Sequence, residues 1–261
     1  DRYENLSYIR LDRQLDNDAL FEMALKLPRT PYCWVIRDIN RLNGSYLCSV
    51  INTLSNQTPD LYVIACNKRS FGIPSRVYND ANAFLHDLGW CLIYSGAVIF
   101  SRKIIDIADF EKCRNPYFFS FNIVFETLSR LDRISVFWSG LESSLSRDNS
   151  RNPRGVFHIY GVLWTKTVLA LPDSSYSKKA KLRCIRVLGK KNHLYSAHHL
   201  KRQRVVGSLT PEIYKECYDY IRYFAPGNEL RFFFYSRYPN RLNKYYRRYH
   251  RYYRNTGSPL F

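Results

Sequence analysis

The chain has 261 residues, of which 46% are hydrophobic and 16% are aromatic. A chain of this size and composition can bury a sizeable core, which excludes disorder throughout. The longest apolar stretches, residues 90–100 and 155–171, are interrupted by polar side chains, so no segment is predicted to span a bilayer. Lysine and arginine number 40 against 22 acidic residues, and the excess is concentrated in residues 178–204 and 231–254. We therefore expect the C-terminal third to meet an anionic partner: phospholipid headgroups, nucleic acid or a diphosphate-bearing substrate.

The seven cysteines are widely spaced in apolar sequence, and no CxxC pair or zinc-like spacing is present among them. This pattern predicts buried, reduced thiols in a cytosolic protein. The sequence starts at Asp1 and has no signal-peptide pattern there, so we expect the natural protein to extend further upstream.

Residues 6–36 have the pattern of a strand, a helix and a second strand. LSYIRL is short and β-prone, NDALFEMALKL places its apolar residues on one helical face, and PYCWVI is a compact buried strand. Such a βαβ unit predicts a parallel sheet with a ligand crevice at the carboxyl ends of its strands.

The alternation continues along the chain. We predict a helix over residues 45–54, a strand at LYVIAC, and a helix that ends at Gly89. The run WCLIY is β-prone and leads into a turn at Ser95-Gly96, after which AVIFSR is a second apolar run. A helix over residues 118–131 and a strand at RISVFW follow, and the polar residues 141–154 indicate a loop or boundary.

The sequence Asp38-Ile39-Asn40 comes directly after the predicted strand PYCWVI. Oxygen ligands from Asp38 and Asn40 at a strand end can hold a divalent cation, Mn²⁺ or Mg²⁺, which in turn bridges the two phosphates of a nucleotide-sugar. The same tripeptide also fits an Asx-type turn, and the spacing alone leaves both readings open.

Three blocks together resemble one family of enzymes. The order YIRL, a helix with Asn17 near its start and then PYCWVIRDINRL resembles bacterial family-2-type glycosyltransferases of the abequosyltransferase-like group. The segment DANAFLHDLGWCLIYSGAVIFSRKII resembles the part of that family that carries an acceptor-side loop, and NPYFFSFNIVFETL and GVFHIYGVLWTKTVLALP resemble its later helices. The resemblance covers residues 6–172.

The resemblance implies an α/β fold of the GT-A type, with a Rossmann-like mixed sheet flanked by helices. It implies a glycosyltransferase domain over residues 1–172 that lacks the family's N-terminal nucleotide-binding strand, followed by a basic, mostly helical region over residues 173–261. The implied reaction transfers a sugar from a nucleotide-diphosphate sugar to a glycan or lipid-linked glycan, with inversion, as in surface polysaccharide biosynthesis.

The matched blocks also imply site residues. Ser95, Gly96 and Arg102 occupy the positions of the acceptor-side pattern, and Arg37 and Arg102 suit bidentate binding of a diphosphate, although both also fit exposed charges at strand ends. The position of the family's catalytic carboxylate falls on residues 120–122, which hold no acid. Asp87 and Glu126 are therefore the candidate bases, and each also fits a solvated charge on a helix.

The histidines give no recognisable ligand spacing. His86 and the pair His198-His199 are predicted to have ordinary surface or packing roles.

In residues 238–252, apolar and tyrosine side chains recur at alternating spacings of four and three, and arginine and lysine cover the other sides. As a helix this segment is amphipathic and cationic, which predicts peripheral attachment to an anionic membrane, at its cytoplasmic inner face. Packing on the domain, or stacking on single-stranded nucleic acid, also fits the pattern.

Three functions follow from these patterns. A metal-assisted glycosyltransferase is the leading one. A basic nucleic-acid-binding protein is the second, disfavoured because no RRM, KH, helix-turn-helix or zinc signature is present. A catalytically inactive domain that binds glycan or membrane is the third.

Overall fold

The computed structural model describes residues 7–36, 44–65, 73–94, 96–141 and 155–239. These ranges contain a five-stranded mixed sheet flanked by helices, so the mixed α/β prediction is confirmed. The strands are β1 (Tyr32–Trp34), β2 (Leu61–Ile64), β3 (Arg76–Tyr78), β4 (Val98–Ser101) and β5 (Val136–Ser139). The helices are α1 (Asn17–Lys26), α2 (Gly44–Gln57), α3 (Ala81–Leu88), α4 (Arg102–Ile107), α5 (Phe110–Cys113), α6 (Phe119–Leu128), α7 (Trp164–Leu169), α8 (Lys178–Lys191), α9 (Ala197–Val205), α10 (Pro211–Phe224) and α11 (Glu229–Ser236).

The strands lie in the order β1-β4-β2-β5-β3. β4 is antiparallel to both of its neighbours, β1 and β2, while β2 and β5 are parallel and β3 closes the sheet antiparallel to β5. Because β1 and β2 both oppose β4, the strands β1, β2 and β5 all run in the same direction.

Both faces of the sheet are covered. Successive side chains of a strand point to opposite faces, and β2 is buried at all four positions. Tyr62 and Ile64 pack with Ile99 against Tyr46 and Val50 of α2. The other face carries the larger core, in which Leu61, Val63 and Phe100 join side chains of α3, α6, α8 and α10. The sheet is therefore the middle of three layers.

The helices of residues 178–236 pack onto that same larger core. A Cβ atom placed on Gly89, at the end of α3, would lie 2.8 Å from the Cys184 Sγ of α8, and one on Gly189 would lie 2.7 Å from the Phe224 carbonyl oxygen. The starts of α3 and α8 are also joined, because the backbone N–H of Ser177 donates to Asn82 Oδ1 at 2.8 Å. Glycine at residues 89 and 189 thus permits the close approach of α8 to α3 and α10.

Several local predictions are confirmed. The helix in NDALFEMALKL begins after Asp16, whose carboxylate caps it by accepting from the Ala19 N–H at 2.7 Å. The helices predicted over residues 45–54 and 118–131, the helix end at Gly89 and the strands in PYCWVI, LYVIAC and RISVFW are also present.

Two local predictions are wrong. LSYIRL forms no strand over its described residues 7–11, because it has no partner: the Tyr8 side chain is 87% exposed. The predicted parallel βαβ unit is therefore absent from the described ranges, and β1 pairs antiparallel with β4 instead. WCLIY lies in a buried 3₁₀ helix, Gly89–Ile93, in which the Trp90 indole N–H donates to the Asp87 carbonyl at 3.1 Å.

Candidate functional site

One edge of the sheet gathers the carboxyl ends of β1, β2 and β5, which run in the same direction. Gly96 lies at this edge, two residues before the antiparallel strand β4 begins, and its φ of 82° is in the left-handed region that favours glycine. The Trp34 indole N–H, at the end of β1, donates to the Gly96 carbonyl at 2.9 Å. Ligands of open α/β sheets bind outside this kind of edge.

Asp87, at the end of α3, is the centre of a polar cluster beside the amino end of β3. Its Oδ1 lies 2.7 Å from His86 Nδ1, and its Oδ2 accepts from the Arg76 guanidinium and, at 3.3 Å, from the Tyr78 hydroxyl. The Arg76 guanidinium also lies 4.0 Å from the centre of the Tyr78 ring. The Asp87 side chain remains 32% exposed, so a ligand can reach this cluster.

The contacts within the cluster shift the pKa values of Asp87 and Tyr78. Burial raises the pKa of Asp87, but the hydrogen bond from His86 and the charge of Arg76 outweigh it, so the pKa is lowered. Burial and the adjacent Asp87 charge raise the pKa of Tyr78 to about 12. Because an ionised carboxylate can only accept, His86 Nδ1 carries the proton that faces Asp87. In the neutral ring, Nε2 is then the proton-accepting nitrogen.

Two adjoining cavities open next to this cluster, and we call them together the α8 cleft. The larger measures about 1050 Å³ and is lined by Asp87 and Ile73, and the smaller measures about 690 Å³ and is lined by His86. Arg183 and Lys190 of α8 line both. The Ile73 carbonyl accepts from the Trp138 indole of β5 at 3.2 Å, which ties the larger cavity to the sheet.

The wall that α8 contributes to the cleft is cationic. Lys179, Arg183, Arg186 and Lys190 are exposed and recur at spacings of four, three and four residues, which places them on one helical face. We call these four residues the basic stripe. The opposite face of α8 is buried, and the helix contains no acidic residue.

Arg102 lies at the opposite edge of the sheet from Gly96, after the carboxyl end of β4. Its backbone N–H donates to the Pro31 carbonyl at 2.7 Å, and its guanidinium donates to the Pro28 carbonyl. Five residues of extended chain separate the two edges by about 17 Å. The structure therefore does not bring Arg102 together with Gly96 or with Asp87.

Glu126 is held on another helix with different partners. Its carboxylate, on α6, accepts from Lys112 Nζ of α5 at 2.7 Å, and the side chain is 13% exposed. Burial and, after it, the Glu126 charge raise the pKa of the neighbouring Cys113 thiol to about 12. Of the two candidate bases, only Asp87 lines the α8 cleft.

Other predicted site residues lie outside the described residues: Arg37, Asp38, Asn40 and Ser95. The same holds for the predicted tail helix from residue 240 onward. Within the described ranges, no group of three or more His, Cys, Asp and Glu side chains is arranged to hold a metal ion. The divalent cation at Asp38 and Asn40 stays a prediction.

Sequence reasoning missed two features of the cleft. His86 was assigned an ordinary role because its carboxylate partner is simply the next residue, which is not a recognised ligand spacing. The basic stripe was counted only in the total charge of the C-terminal third. Its signal was present in KKAKLRCIRVLGKK, a helix with cations at helical spacing and no acid.

Comparison with protein-family models finds no match for this chain, and comparison with curated proteins finds no relative either. Over the residues described by the structure, no helix is both long and apolar enough to cross a membrane.

Proposed function

We propose that the chain is a glycosyltransferase domain of the GT-A type, which transfers a sugar from a nucleotide-diphosphate sugar to a glycan or lipid-linked glycan. The observation that carries the proposal is the α8 cleft, which is joined to the end of β5 through the contact of Ile73 with Trp138 and is lined by the His86–Asp87 pair. The carboxyl end of such a strand is where α/β folds bind their ligands.

The His86–Asp87 pair supplies proton transfer in this proposal. Asp87 is fixed as a carboxylate by Arg76, holds the Nδ1 proton of His86, and so leaves Nε2 to accept a proton. The acceptor hydroxyl attacks the anomeric carbon and gives its proton to Nε2, and the nucleoside diphosphate leaves with the electrons of the broken bond. Asp87 then acts as a positioning residue, and Glu126, paired with Lys112, has no part in the step.

The donor belongs at the end of β1. Asp38 and Asn40 follow Trp34 by four and six residues, and they would hold Mn²⁺ or Mg²⁺. Such an ion, when bound, offsets the charge that develops on the diphosphate leaving group. Arg37 would contact the same diphosphate, and Ser95 and Gly96 would shape the acceptor side; the Gly96 carbonyl accepts from the Trp34 indole.

The proposal includes a location. The basic segment after residue 238 would hold the domain on anionic lipid at the inner, cytoplasmic face of the membrane, where a lipid-linked acceptor is available.

The test is thermal stabilisation of the chain, and of a version extended upstream, by UDP-, GDP-, CDP- and dTDP-sugars with and without Mn²⁺. A donor at a hundred times its Kd stabilises by about 2.7 kcal/mol, which raises the melting temperature by about 5 to 11 °C. We expect one nucleotide class to act, with Mn²⁺, and Asp38→Ala to abolish the shift. Asp219→Ala, which removes an exposed carboxylate of α10, is the matched control. No shift with any donor in either version would refute the donor site.

The basic stripe gives one specific observation in favour of the second function, nucleic-acid binding. Its four cations span eleven residues of helix, or about 16 Å, which can contact several phosphates of a single strand. Titration of a fluorescent oligonucleotide at rising salt would separate the two functions. A steep salt dependence without any donor response would favour nucleic acid, and donor binding without turnover would favour an inactive glycan-binding domain.

A further inference from the structure

The α8 cleft is strongly positively charged. Seven Lys or Arg side chains line its two cavities, and the Asp87 carboxylate is the one acid among the described residues that line them. That carboxylate is already occupied by Arg76 and His86. No ion pair joins the basic stripe to a carboxylate within the described ranges. Like charges gathered in this way repel each other, so a bound anion would stabilise the fold.

Four of these cations line the two cavities from two different helices. Arg183 and Lys190 line both cavities, and Arg186 lies between them on the same face of α8. Successive members of this set are three and four residues apart, or about 4.5 and 6 Å along the helix. Arg186 lines the smaller cavity, and Arg231 of α11 lines the larger one, held by a hydrogen bond from its guanidinium to the Tyr195 carbonyl at 3.3 Å.

Apolar side chains line the cavities between the cations. Val187 and Tyr195 line both cavities, and Phe224 closes the smaller one. α8 and α10 pack closely beside this cavity, since a Cβ atom on Gly189 would lie 2.7 Å from the Phe224 carbonyl oxygen.

We propose that the α8 cleft is a binding site for a diphosphate group, held by Arg183, Arg186 and Lys190 of α8 with Arg231 of α11. Arg183 and Lys190 line both cavities and form the centre of the site, with Arg186 on the side of the smaller cavity and Arg231 on the side of the larger one. Two adjacent phosphates carry enough negative charge to match these cations, and guanidinium groups bind phosphate oxygens in pairs. The diphosphate is carried either by a soluble ester or by a lipid whose headgroup enters the cleft. This site lies beside β3 and β5 and is separate from the donor site that we place at the end of β1, so it goes beyond the transferase proposal.

The test is calorimetric titration of the whole chain with inorganic pyrophosphate, and with orthophosphate for comparison. The variant R183Q/K190Q removes two cations that line both cavities. The matched control, R202Q/K215Q, removes one arginine and one lysine from exposed positions of α9 and α10, outside the cleft. All four positions are exposed, so each protein is expected to fold, and circular dichroism checks this.

We expect saturable binding of pyrophosphate that is tighter than that of orthophosphate. R183Q/K190Q should weaken it by at least about tenfold, whereas the control should stay within about twofold. If both variants bound pyrophosphate equally weakly, the affinity would depend on net charge alone, and the proposed site would be refuted. An absence of saturable pyrophosphate binding would also overturn the proposal. The same holds if the protein binds to plain anionic vesicles or to single-stranded DNA and pyrophosphate does not release it.

Two further experiments, vesicle binding and stabilisation by nucleoside diphosphates, identify the molecule that carries the diphosphate. Vesicles of neutral lipid with a small fraction of an isoprenoid diphosphate would capture the wild type and not R183Q/K190Q if the ligand is a lipid headgroup. Stabilisation by nucleoside diphosphates without such capture would identify a soluble ester. The probe is pyrophosphate rather than a sugar donor, so the two proposals can fail separately. Pyrophosphate binding without donor binding would support the diphosphate site and refute the donor site. Donor binding without pyrophosphate binding would refute the diphosphate site alone.

Discussion

Lys181 anchors α8, and its replacement gives the sharpest test of the packing that forms the cleft. The side chain is 2% exposed, and its ammonium donates to the carbonyls of Leu169, at 3.3 Å, and Leu171, and to Asp173 Oδ1 at 2.6 Å. Those carbonyls lie at and just beyond the end of α7, where the helix dipole favours a cation. Lys181 therefore ties the end of α7 to the helix that carries the basic stripe.

The variant Lys181→Met keeps the length of the side chain and removes the three donors. Each buried carbonyl left without a partner costs about 1 to 3 kcal/mol. Asp173 adds little, because it is 93% exposed and stays solvated after the change. Methionine regains part of the loss by apolar burial, so we expect a net loss of about 3 kcal/mol in the free energy of unfolding. For a chain of this size that lowers the melting temperature by about 6 to 12 °C.

Urea unfolding at neutral pH, followed by circular dichroism, measures this loss. Lys179→Met on the exposed face of α8 is the matched control, and it should stay within about 0.5 kcal/mol of the wild type. Asp173→Asn should also lower the unfolding midpoint less than Lys181→Met does. A loss below about 1 kcal/mol for Lys181→Met would refute the reasoning, since the buried Leu171 carbonyl and the partly buried Leu169 carbonyl both lose a charged donor.

Three further predictions follow from single residues. Gly140→Ala should destabilise the sheet edge by about 1 to 3 kcal/mol in urea unfolding, because the new Cβ would lie 2.2 Å from the Ile73 carbonyl oxygen. The lowered pKa of Asp87 contributes stability above about pH 4 that is lost as the pH falls through the folded-state pKa, so Asp87→Asn should flatten the acid side of the stability curve. Iodoacetamide should label the exposed Cys48 far faster than Cys184, whose pKa is raised by complete burial, and peptide mass spectrometry would resolve the two sites.

Local pattern was enough to find most of the elements, because capping residues and apolar spacing act within one helix or strand. PYCWVI was correctly predicted as a strand, but its partner β4 begins 64 residues after β1 ends. Nothing in either segment specifies that they pair antiparallel. LSYIRL has the composition of a strand and forms none, since Tyr8 and its neighbours find no sheet to join. Strand pairing depends on tertiary contacts that sequence periodicity does not contain.

The site was predictable only in part, for the same reason. Gly96 and Asp87 were both named from sequence; Gly96 lies at the edge of the sheet where β1, β2 and β5 end, and Asp87 lines the α8 cleft. Arg102 is six residues from Gly96 along the chain, yet the length of β4 carries it to the other edge. The role of His86 depends on its hydrogen bond to Asp87, which the sequence pattern did not reveal. The basic stripe lines a cleft only because residues of α3 and α10 pack beside it.

The sheet order sets the distance between the two sites that we propose. The end of β1 and the end of β5 lie at the same edge, three strand positions apart, and neighbouring strands are about 4.8 Å apart. A donor at the end of β1 and a diphosphate in the α8 cleft are therefore separated by about 14 Å along this edge. Since the attacking hydroxyl gives its proton to His86 in the cleft, the sugar of the donor must extend past Gly96 and β2 toward the cleft. If the diphosphate in the cleft belongs to the acceptor, the sugar attached to it lies next to His86, so an acceptor with a single sugar should still be glycosylated, and His86→Gln should abolish transfer while leaving diphosphate binding intact.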